Sequence, residues 1–254
     1  MDFIKVSTDD HIAHLLLDRG KSNAINQQML DELHQAVRGA AQDPAVEGLI
    51  LEGKPGFFSA GIDLIALYEY NEAEIKQFWL SFMAFVRTFA AFDKPAVAAI
   101  NGHSPAGGCI LGLCCDYRVM ADDDYIIGLN EVPVGIIVPD SIFQLYSFWL
   151  GHATAYRYLL EGKLMKPAEA HACGLVDEVV DERRIRTVAQ RQLRKYTQFE
   201  RNTWQQSKRN MRRALIAQLD ADQEPAIAAI LKQWWSPATR AILKTIIDNL
   251  THSG

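Results

Sequence analysis

Two hydrophobic periodicities alternate over the first 180 residues. Short apolar runs with strand character, among them HIAHLLLDR, VEGLILEG, AVAAIN and YRVMA, are separated by segments with helical spacing. In the first helical segment, Met29, Leu33 and Val37 recur at intervals of four residues and form one apolar face. Strands that alternate with helices in this way predict a parallel, layered α/β core.

The pattern changes after Val180. Four helical patterns follow one another, beginning at ERRIRTVAQ, TWQQSKRNM, EPAIAAILK and PATRAILKT, and no good strand pattern lies among them. The sequence therefore predicts a core over residues 1–180 and a helical region over residues 181–254.

The composition is that of a globular protein with a sizeable core, since 49% of the residues are hydrophobic and 22% are charged. No apolar run is long and uncharged enough to predict a membrane span. The N-terminal segment lacks a basic stretch followed by an apolar one, so no signal peptide is expected. The four cysteines lie in apolar segments without zinc-ligand spacing. We therefore expect a cytoplasmic protein without a metal site.

Positive charge is concentrated between Arg183 and Arg213, where eleven Lys and Arg residues accompany a single acid, Glu200. Such a stripe can bind phosphate groups, either in a nucleotide-bearing ligand or in RNA. The alternative is a solvated helix face, and we favour it for most of these side chains. Aromatic residues that could stack on bases are few in this segment, so a nucleic-acid partner is not expected.

Two Gly-rich segments, KPGFFSAGID and GHSPAGG, are predicted to be loops that each follow a strand and precede a helix. Helix N-termini present free backbone N–H groups, and here the natural donors are those of Ile62 and Gly107. Two such donors converging on one oxygen would form an oxyanion hole. Neither loop carries a phosphate-binding Gly-Lys-Ser/Thr sequence or a dinucleotide Gly-x-Gly-x-x-Gly pattern. Ser59, His103 and Ser104 lack the Gly-x-Ser-x-Gly context of a hydrolase nucleophile.

Glu131 is the only ionisable acid in the segment YIIGLNEVPVGIIVP. A carboxylate avoids such apolar surroundings, because burying its ionised form without partners is costly or forces protonation. Two interpretations are open: Glu131 points into water from a loop, or it is a buried acid with a raised pKa and a chemical role.

Four segments in the same order and spacing resemble the crotonase (enoyl-CoA hydratase/isomerase) superfamily: FFSAGIDL, KPAVAAINGHSPAGGCILGLCCDYRVMAD, YIIGLNEVPVGI and KPAEAHACGLVDEVV. The resemblance implies an α/β fold, a crotonase-type spiral of repeated ββα units with a C-terminal α-helical region. Residues 1–180 would form the spiral core and residues 181–254 a trimerisation region. It further implies a homotrimer or hexamer and an acyl-CoA thioester substrate, with coenzyme A as part of the substrate and no separate cofactor.

The resemblance also implies roles for residues near the two loops. The thioester oxygen would lie between the N–H groups of Ile62 and Gly107. Asp63 can alternatively cap the next helix, and Asn130 can alternatively form a turn. The residues implied in substrate binding are Ser22, Ala24, Ser59, Ala60, Gly61, Asp63 and Asn130.

The number of carboxylates separates activities within this superfamily. Hydratases of the family have two glutamates, and the position of the first is occupied here by Ile110, whereas the second is Glu131. In this respect the sequence is most similar to the Δ3,Δ2-enoyl-CoA isomerases. The similarity implies that Glu131 takes a proton from carbon 2 of a 3-enoyl-CoA and returns it at carbon 4. The alternatives are a ring-acyl-CoA isomerase, a decarboxylase or a weak enoyl-CoA hydratase with the same fold and, more remotely, an RNA-binding protein.

Overall fold

The structure is a computed structural model and describes residues 1–252. The strands are β1 (Ile4–Asp9), β2 (Ile12–Leu17), β3 (Gly48–Glu52), β4 (Gly56–Phe57), β5 (Ala96–Ile100), β6 (Gly102–Pro105), β7 (Tyr117–Ala121), β8 (Ile127–Gly128), β9 (Leu164–Met165) and β10 (Glu178–Val180). The helices are α1 (Gln27–Gln42), α2 (Leu64–Tyr68), α3 (Glu72–Ala90), α4 (Gly107–Cys114), α5 (Asp140–Leu150), α6 (His152–Glu161), α7 (Pro167–Ala172), α8 (Ile185–Thr197), α9 (Arg201–Leu219), α10 (Glu224–Trp234) and α11 (Pro237–His252).

The strands form two sheets that the chain visits alternately. One sheet has the order β1-β2-β3-β5-β7-β10, and the other has the order β4-β6-β8-β9. In the pairs β3–β4, β5–β6 and β7–β8, the first strand lies in the large sheet and the second in the small sheet, and helices follow each pair. This is a spiral of repeated ββα units, so the predicted α/β crotonase-type fold is confirmed.

One part of the predicted loop GHSPAGG was wrong, because Gly102–Pro105 forms β6. This strand pairs in parallel with β4 on one side and with β8 on the other. A four-residue segment with Gly and Pro shows no apolar alternation, so its sequence gives no strand signal. Backbone pairing with two neighbours nevertheless makes it the middle strand of the small sheet's parallel part.

Helices cover both faces of the large sheet. An apolar cluster on one face joins Ile12, Ile50 and Val97 to side chains of α8, including Val188 and Leu193. The other face belongs to the main core, to which α1, α3 and α4 contribute. Described residues 181–252 contain helices and no strand, and α8 packs against one face of the large sheet. Residues 253 and 254 of the predicted helical region lie outside the described residues.

Most Lys and Arg side chains of the Arg183–Arg213 stripe are exposed, as expected of a solvated helix face, but two of them are buried. Lys208 and Arg212, both on α9, are 8% and 4% exposed. The carboxylate of Asp116 lies 2.6 Å from Lys208 Nζ and 3.0 Å from Arg212 Nη2. Asp116 also accepts a hydrogen bond from the backbone N–H of Ala96, at the start of β5. This buried cluster therefore fastens α9 to the large sheet.

Most of the other stripe residues are also neutralised by neighbours. Seven of the eleven Lys and Arg side chains form ion pairs with carboxylates in the described part of the chain; they are Arg183, Arg186, Arg191, Arg194, Lys208, Arg209 and Arg212. These side chains are paired with carboxylates of the same chain. The segment therefore does not present a continuous surface of unpaired cations to phosphate groups.

We expect Asp116→Ala to lower the free energy of unfolding by about 3–5 kcal/mol, because it leaves two buried cations without their carboxylate. Asp220→Ala is the matched control, since Asp220 pairs with Arg87 and both side chains are nearly half exposed. It should cost less than about 1 kcal/mol. Urea unfolding of both variants measures the difference, and equal losses would contradict the assignment of Asp116 as the anchor of α9.

Candidate active site

The two Gly-rich loops and the Glu131 segment, which are far apart in sequence, meet at one edge of the small sheet. Strands β4, β6 and β8 run in parallel, so their carboxyl ends lie together. Ile62 follows β4, Gly107 follows β6 and Glu131 follows β8. All three line one cavity of about 550 Å³, whose wall also includes Ala60, Ala106, Ile110, Asn130, Trp79, Phe82 and Met83.

The N–H of Ile62 is left free by the way its loop is paired. Ile25 N donates to the carbonyl of Gly61 at 2.8 Å, and Asp63 N donates to the carbonyl of Ile25 at 2.9 Å. In an extended segment successive N–H groups point in opposite directions, so the Ile62 N–H points away from Ile25. It donates no hydrogen bond within residues 1–252. The loop therefore presents one unpaired donor at the cavity.

Gly107 supplies the second unpaired donor, at the first position of α4, where a helix has no intrahelical acceptor for its N–H. Ala106 before it has φ +49°, which is uncommon for a residue with a side chain and costs on the order of 1–3 kcal/mol. This backbone geometry is fixed by a 2.8 Å hydrogen bond from Ala106 N to the carbonyl of Gly128 in β8. The sharp turn directs the start of α4 at the cavity.

The two loops are in direct contact. A β-carbon at position 107 would lie 3.2 Å from the Cα of Gly61 and 3.4 Å from the nitrogen of Ile62. Only glycine leaves the space beside the Ile62 donor open. The arrangement can therefore bring two backbone N–H groups to one small acceptor, as an oxyanion hole requires.

Glu131 is buried, so the interpretation that it points into water from a loop is wrong. It is 9% exposed, and its Oε2 has no hydrogen-bond partner within residues 1–252. Burial raises the pKa of this carboxyl group to about 7, although its own backbone N–H lowers it in part. The turn that begins at Glu131 is closed by its carbonyl, which accepts from Val134 N at 3.1 Å and Ile136 N at 2.9 Å.

Ile110 lies in the same cavity wall and is 4% exposed. Its side chain has no atom that can accept a hydrogen bond or take a proton. Glu131 is consequently the one acid of the cavity wall whose carboxylate is free, because Asp63 is engaged elsewhere. The carboxylate of Asp63 accepts from Ala66 N at 3.0 Å, which caps α2, and lies 2.7 Å from Arg19 Nη2.

Five of the seven residues expected to contact substrate line the cavity; they are Ser22, Ala24, Ala60, Asp63 and Asn130. Ser59 differs from the expectation, because it is completely buried behind the wall. Its hydroxyl donates to the carbonyl of Asn23 at 2.8 Å and accepts from Gly61 N at 3.2 Å. Gly61 does not line the wall either, and its φ of +86° together with these bonds shapes the loop that carries Ile62.

Sequence reasoning did not find the part of the wall that comes from the C-terminal region. Ile246 and Leu250 of α11 line the cavity, and their four-residue spacing within TRAILKTIIDNL is the signal that places them on one helix face. From α3, Trp79 and Phe82 reach the cavity, whereas Phe78 is fully buried in the core. The interior of the cavity is thus largely apolar.

The described residues also bear on metal and membrane sites. Within residues 1–252, no group of three or more His, Cys, Asp or Glu side chains is placed to hold a metal ion. Within the same residues, no helix is both long and apolar enough to cross a membrane.

The amino-acid sequence matches a known protein family and several of its members. The family model described as enoyl-CoA hydratase/isomerase matches residues 7–234. The mitochondrial enoyl-CoA delta isomerase 1 of Mus musculus is 38% identical over 217 residues, which cover 83% of this chain and 75% of the relative. A crotonyl-CoA hydratase of Syntrophomonas wolfei is 33% identical over 179 residues, which cover 70% of this chain and 68% of the relative.

The fold comparison agrees with the sequence comparison. A crystal structure of human mitochondrial delta3-delta2-enoyl-CoA isomerase superimposes with a TM-score of 0.95 at 29% identity, and the match covers 99% of both chains. Because several relatives are named mitochondrial, the expected cytoplasmic location stays a prediction. With the family model spanning most of its length and the site built at the edge of the small sheet, the chain belongs to the enoyl-CoA hydratase/isomerase family.

Proposed function

We propose that this chain is an isomerase that moves the double bond of an enoyl-CoA thioester from position 3 to position 2. The observation that carries the proposal is the single free carboxyl group of Glu131 in a cavity with two unpaired backbone N–H groups. Relatives named enoyl-CoA delta isomerase, at 35–38% identity, support the same reaction.

The two loops that carry the Ile62 and Gly107 N–H groups would act on the thioester carbonyl. Loss of a proton from carbon 2 moves the C–H electron pair toward the carbonyl, so negative charge develops on its oxygen. The N–H groups of Ile62 and Gly107 are fixed before the substrate arrives, and they can donate to this oxygen without reorganisation. They lower the barrier because they bind the dienolate more strongly than the neutral thioester.

Glu131 would carry the proton between two carbons. It removes a proton from carbon 2, the resulting dienolate extends over carbons 1 to 4, and Glu131 returns the proton at carbon 4. The double bond then lies between carbons 2 and 3, and no atom is gained or lost. A pKa of about 7 suits both steps, since the same group must accept and release a proton near neutral pH.

A second candidate activity is slow hydration of a 2-enoyl-CoA, favoured by the similarity to a crotonyl-CoA hydratase. Hydration requires a water molecule that is held and activated as it attacks carbon 3. Glu131 supplies one carboxyl group that can hold this water, and Ile110 in the same cavity wall supplies no acceptor. The cavity chemistry therefore favours isomerisation over hydration.

The homotrimeric or hexameric assembly and the lack of a separate cofactor are parts of the same proposal. Exposed apolar side chains line one groove beside the Glu131 turn, namely Val132, Ile137, Tyr156 and Leu160. Apolar surface of this kind supports an assembly in which a second copy covers it.

Glu131→Gln keeps the shape of the side chain and removes the base. We expect kcat with 3-hexenoyl-CoA to fall by about 10²–10⁴-fold, while acyl-CoA binding is retained. The rate is followed by the absorbance of the 2-enoyl thioester. Glu161→Gln, at an exposed position, is the matched control and should keep the wild-type rate. A Glu131→Gln enzyme with more than about a tenth of the wild-type kcat would remove Glu131 from this role.

The pH dependence follows from the raised pKa of Glu131. Only the ionised carboxylate can take the first proton, so kcat/KM should fall about tenfold per pH unit below about pH 7 and level off above it. A carboxylate with an ordinary pKa near 4.5 would instead keep full activity down to about pH 5. Initial rates between pH 5 and pH 9 distinguish the two cases, and a flat profile between pH 5 and pH 8 contradicts the assignment.

The wild type should hydrate crotonyl-CoA far more slowly than it isomerises 3-hexenoyl-CoA, because Ile110 cannot hold the attacking water. Ile110→Glu should raise the ratio of hydration to isomerisation, with a shifted pH profile, since two nearby carboxyl groups cannot both ionise easily. Ile110→Leu is the control and should leave the ratio unchanged. If wild-type hydration equals or exceeds isomerisation, the single-carboxylate argument fails.

A further inference from the structure

The first turn of helix α11 carries two adjacent polar residues, Thr239 and Arg240, that contact different parts of the candidate active site. Thr239 is completely buried, and its hydroxyl lies 3.3 Å from the carbonyl oxygen of Gly135, to which it donates. The same hydroxyl accepts a hydrogen bond from Gln233 Nε2 at 2.9 Å. The Thr239 hydroxyl therefore donates to one partner and accepts from another, and the partner to which it donates belongs to the Glu131 turn.

At Gly135 the Glu131 turn is in close contact with α11. Its φ is +80°, and a β-carbon there would lie 3.0 Å from Thr239 Oγ1. Gly135 N donates to the carbonyl of Val132, and the next residue, Ile136, donates to the carbonyl of Glu131. A contact that fixes the Gly135 carbonyl thus fixes the turn from which the Glu131 side chain extends.

Arg240 contacts α2, the helix that follows the Ile62 loop. Its Nη1 and Nη2 donate to the carbonyl of Tyr68 at 3.2 and 3.1 Å. Its guanidinium carbon lies 3.3 Å from the centre of the Tyr68 ring. Tyr68 is the last residue of α2, a five-residue helix that starts two residues after Ile62. One short turn of helix is all that separates this contact from the Ile62 donor.

We propose that Thr239 and Arg240 are positioning residues that hold the Glu131 turn and the Ile62 loop at a fixed separation across the cavity. This rests on the proposed function for its effect on rate. The proton is transferred at one carbon while charge develops on an oxygen two bonds away, so base and oxyanion donors must keep one geometry. A misplacement of about 1 Å can cost about 10²-fold in rate. Further along α11, Ile246 and Leu250 line the cavity, so the helix that sets this separation also contacts the space for substrate.

Thr239→Val tests the first contact, since valine has nearly the same shape and no hydroxyl. We expect kcat for 3-hexenoyl-CoA to fall about tenfold or more with KM changed less than about twofold, because binding surfaces stay in place. Thr239→Ser keeps the hydroxyl and should restore most of kcat. Thr245→Val is the matched control on the same helix, because within residues 1–252 the Thr245 hydroxyl bonds only to the carbonyl of Ala241. It should behave as the wild type.

Amide hydrogen exchange gives a readout that does not depend on activity. In Thr239→Val, amides of residues 131–137 should exchange about three- to tenfold faster, the range expected for loss of one hydrogen bond. In Arg240→Met, the acceleration should fall on residues 64–70 and spare residues 131–137. Arg240 is partly exposed, so this variant decides the question if Thr239→Val does not fold.

These measurements distinguish a failure of the proposed isomerase function from a failure of the positioning role of Thr239 and Arg240. A wild type without isomerase activity contradicts the proposed function, and the exchange data still decide whether α11 holds the two segments. An active wild type whose Thr239→Val and Arg240→Met variants keep kcat and local exchange contradicts the positioning role. Faster exchange spread evenly over the chain would show a general loss of stability and would also overturn it.

Discussion

Burial of the Glu131 carboxyl group without a hydrogen-bond partner for Oε2 is the constraint on which the site depends. An ionised carboxylate loses its hydration there, so its pKa rises to about 7. This raised pKa makes the stability of the fold depend on pH. The protonated carboxyl group is favoured in the folded state, so its contribution to the free energy of unfolding is present at low pH and is lost as pH rises from about 4.5 through 7. The fold therefore carries Glu131 at a cost near neutral pH, which the apolar core offsets.

The ββα spiral makes this arrangement possible because it brings the carboxyl ends of β4, β6 and β8 to one edge. Each of these strands is followed by a segment that places one polar group at the cavity. Backbone pairing around Ile25 leaves the Ile62 N–H free, and the strained turn at Ala106 directs that of Gly107. The groups to which we assign the chemistry are thus mostly backbone groups, and their positions are set by sheet register and by turns.

Sequence reasoning reached the site because its parts lie in short, local motifs. Loop composition identified Ile62 and Gly107, and an apolar neighbourhood singled out Glu131. What it missed depends on contacts between distant segments. Asp116, which neutralises Lys208 and Arg212, lies 92 residues before Lys208. Strand β6 forms through backbone pairing with its two neighbours. The hydroxyl of Ser59 donates a hydrogen bond to the carbonyl of Asn23, 36 residues away. The contribution of α11 needed the folded chain for the same reason.

The central claim is that one shielded base moves one proton between two carbons, and isomerisation in D₂O tests it most directly. A single Glu131 that water does not reach should return much of the protium taken from carbon 2 to carbon 4. Mass spectrometry of the initial 2-enoyl-CoA should then find clearly less than one deuterium per product molecule. A full deuterium at carbon 4 in every molecule, from the first turnovers onward, would contradict the account.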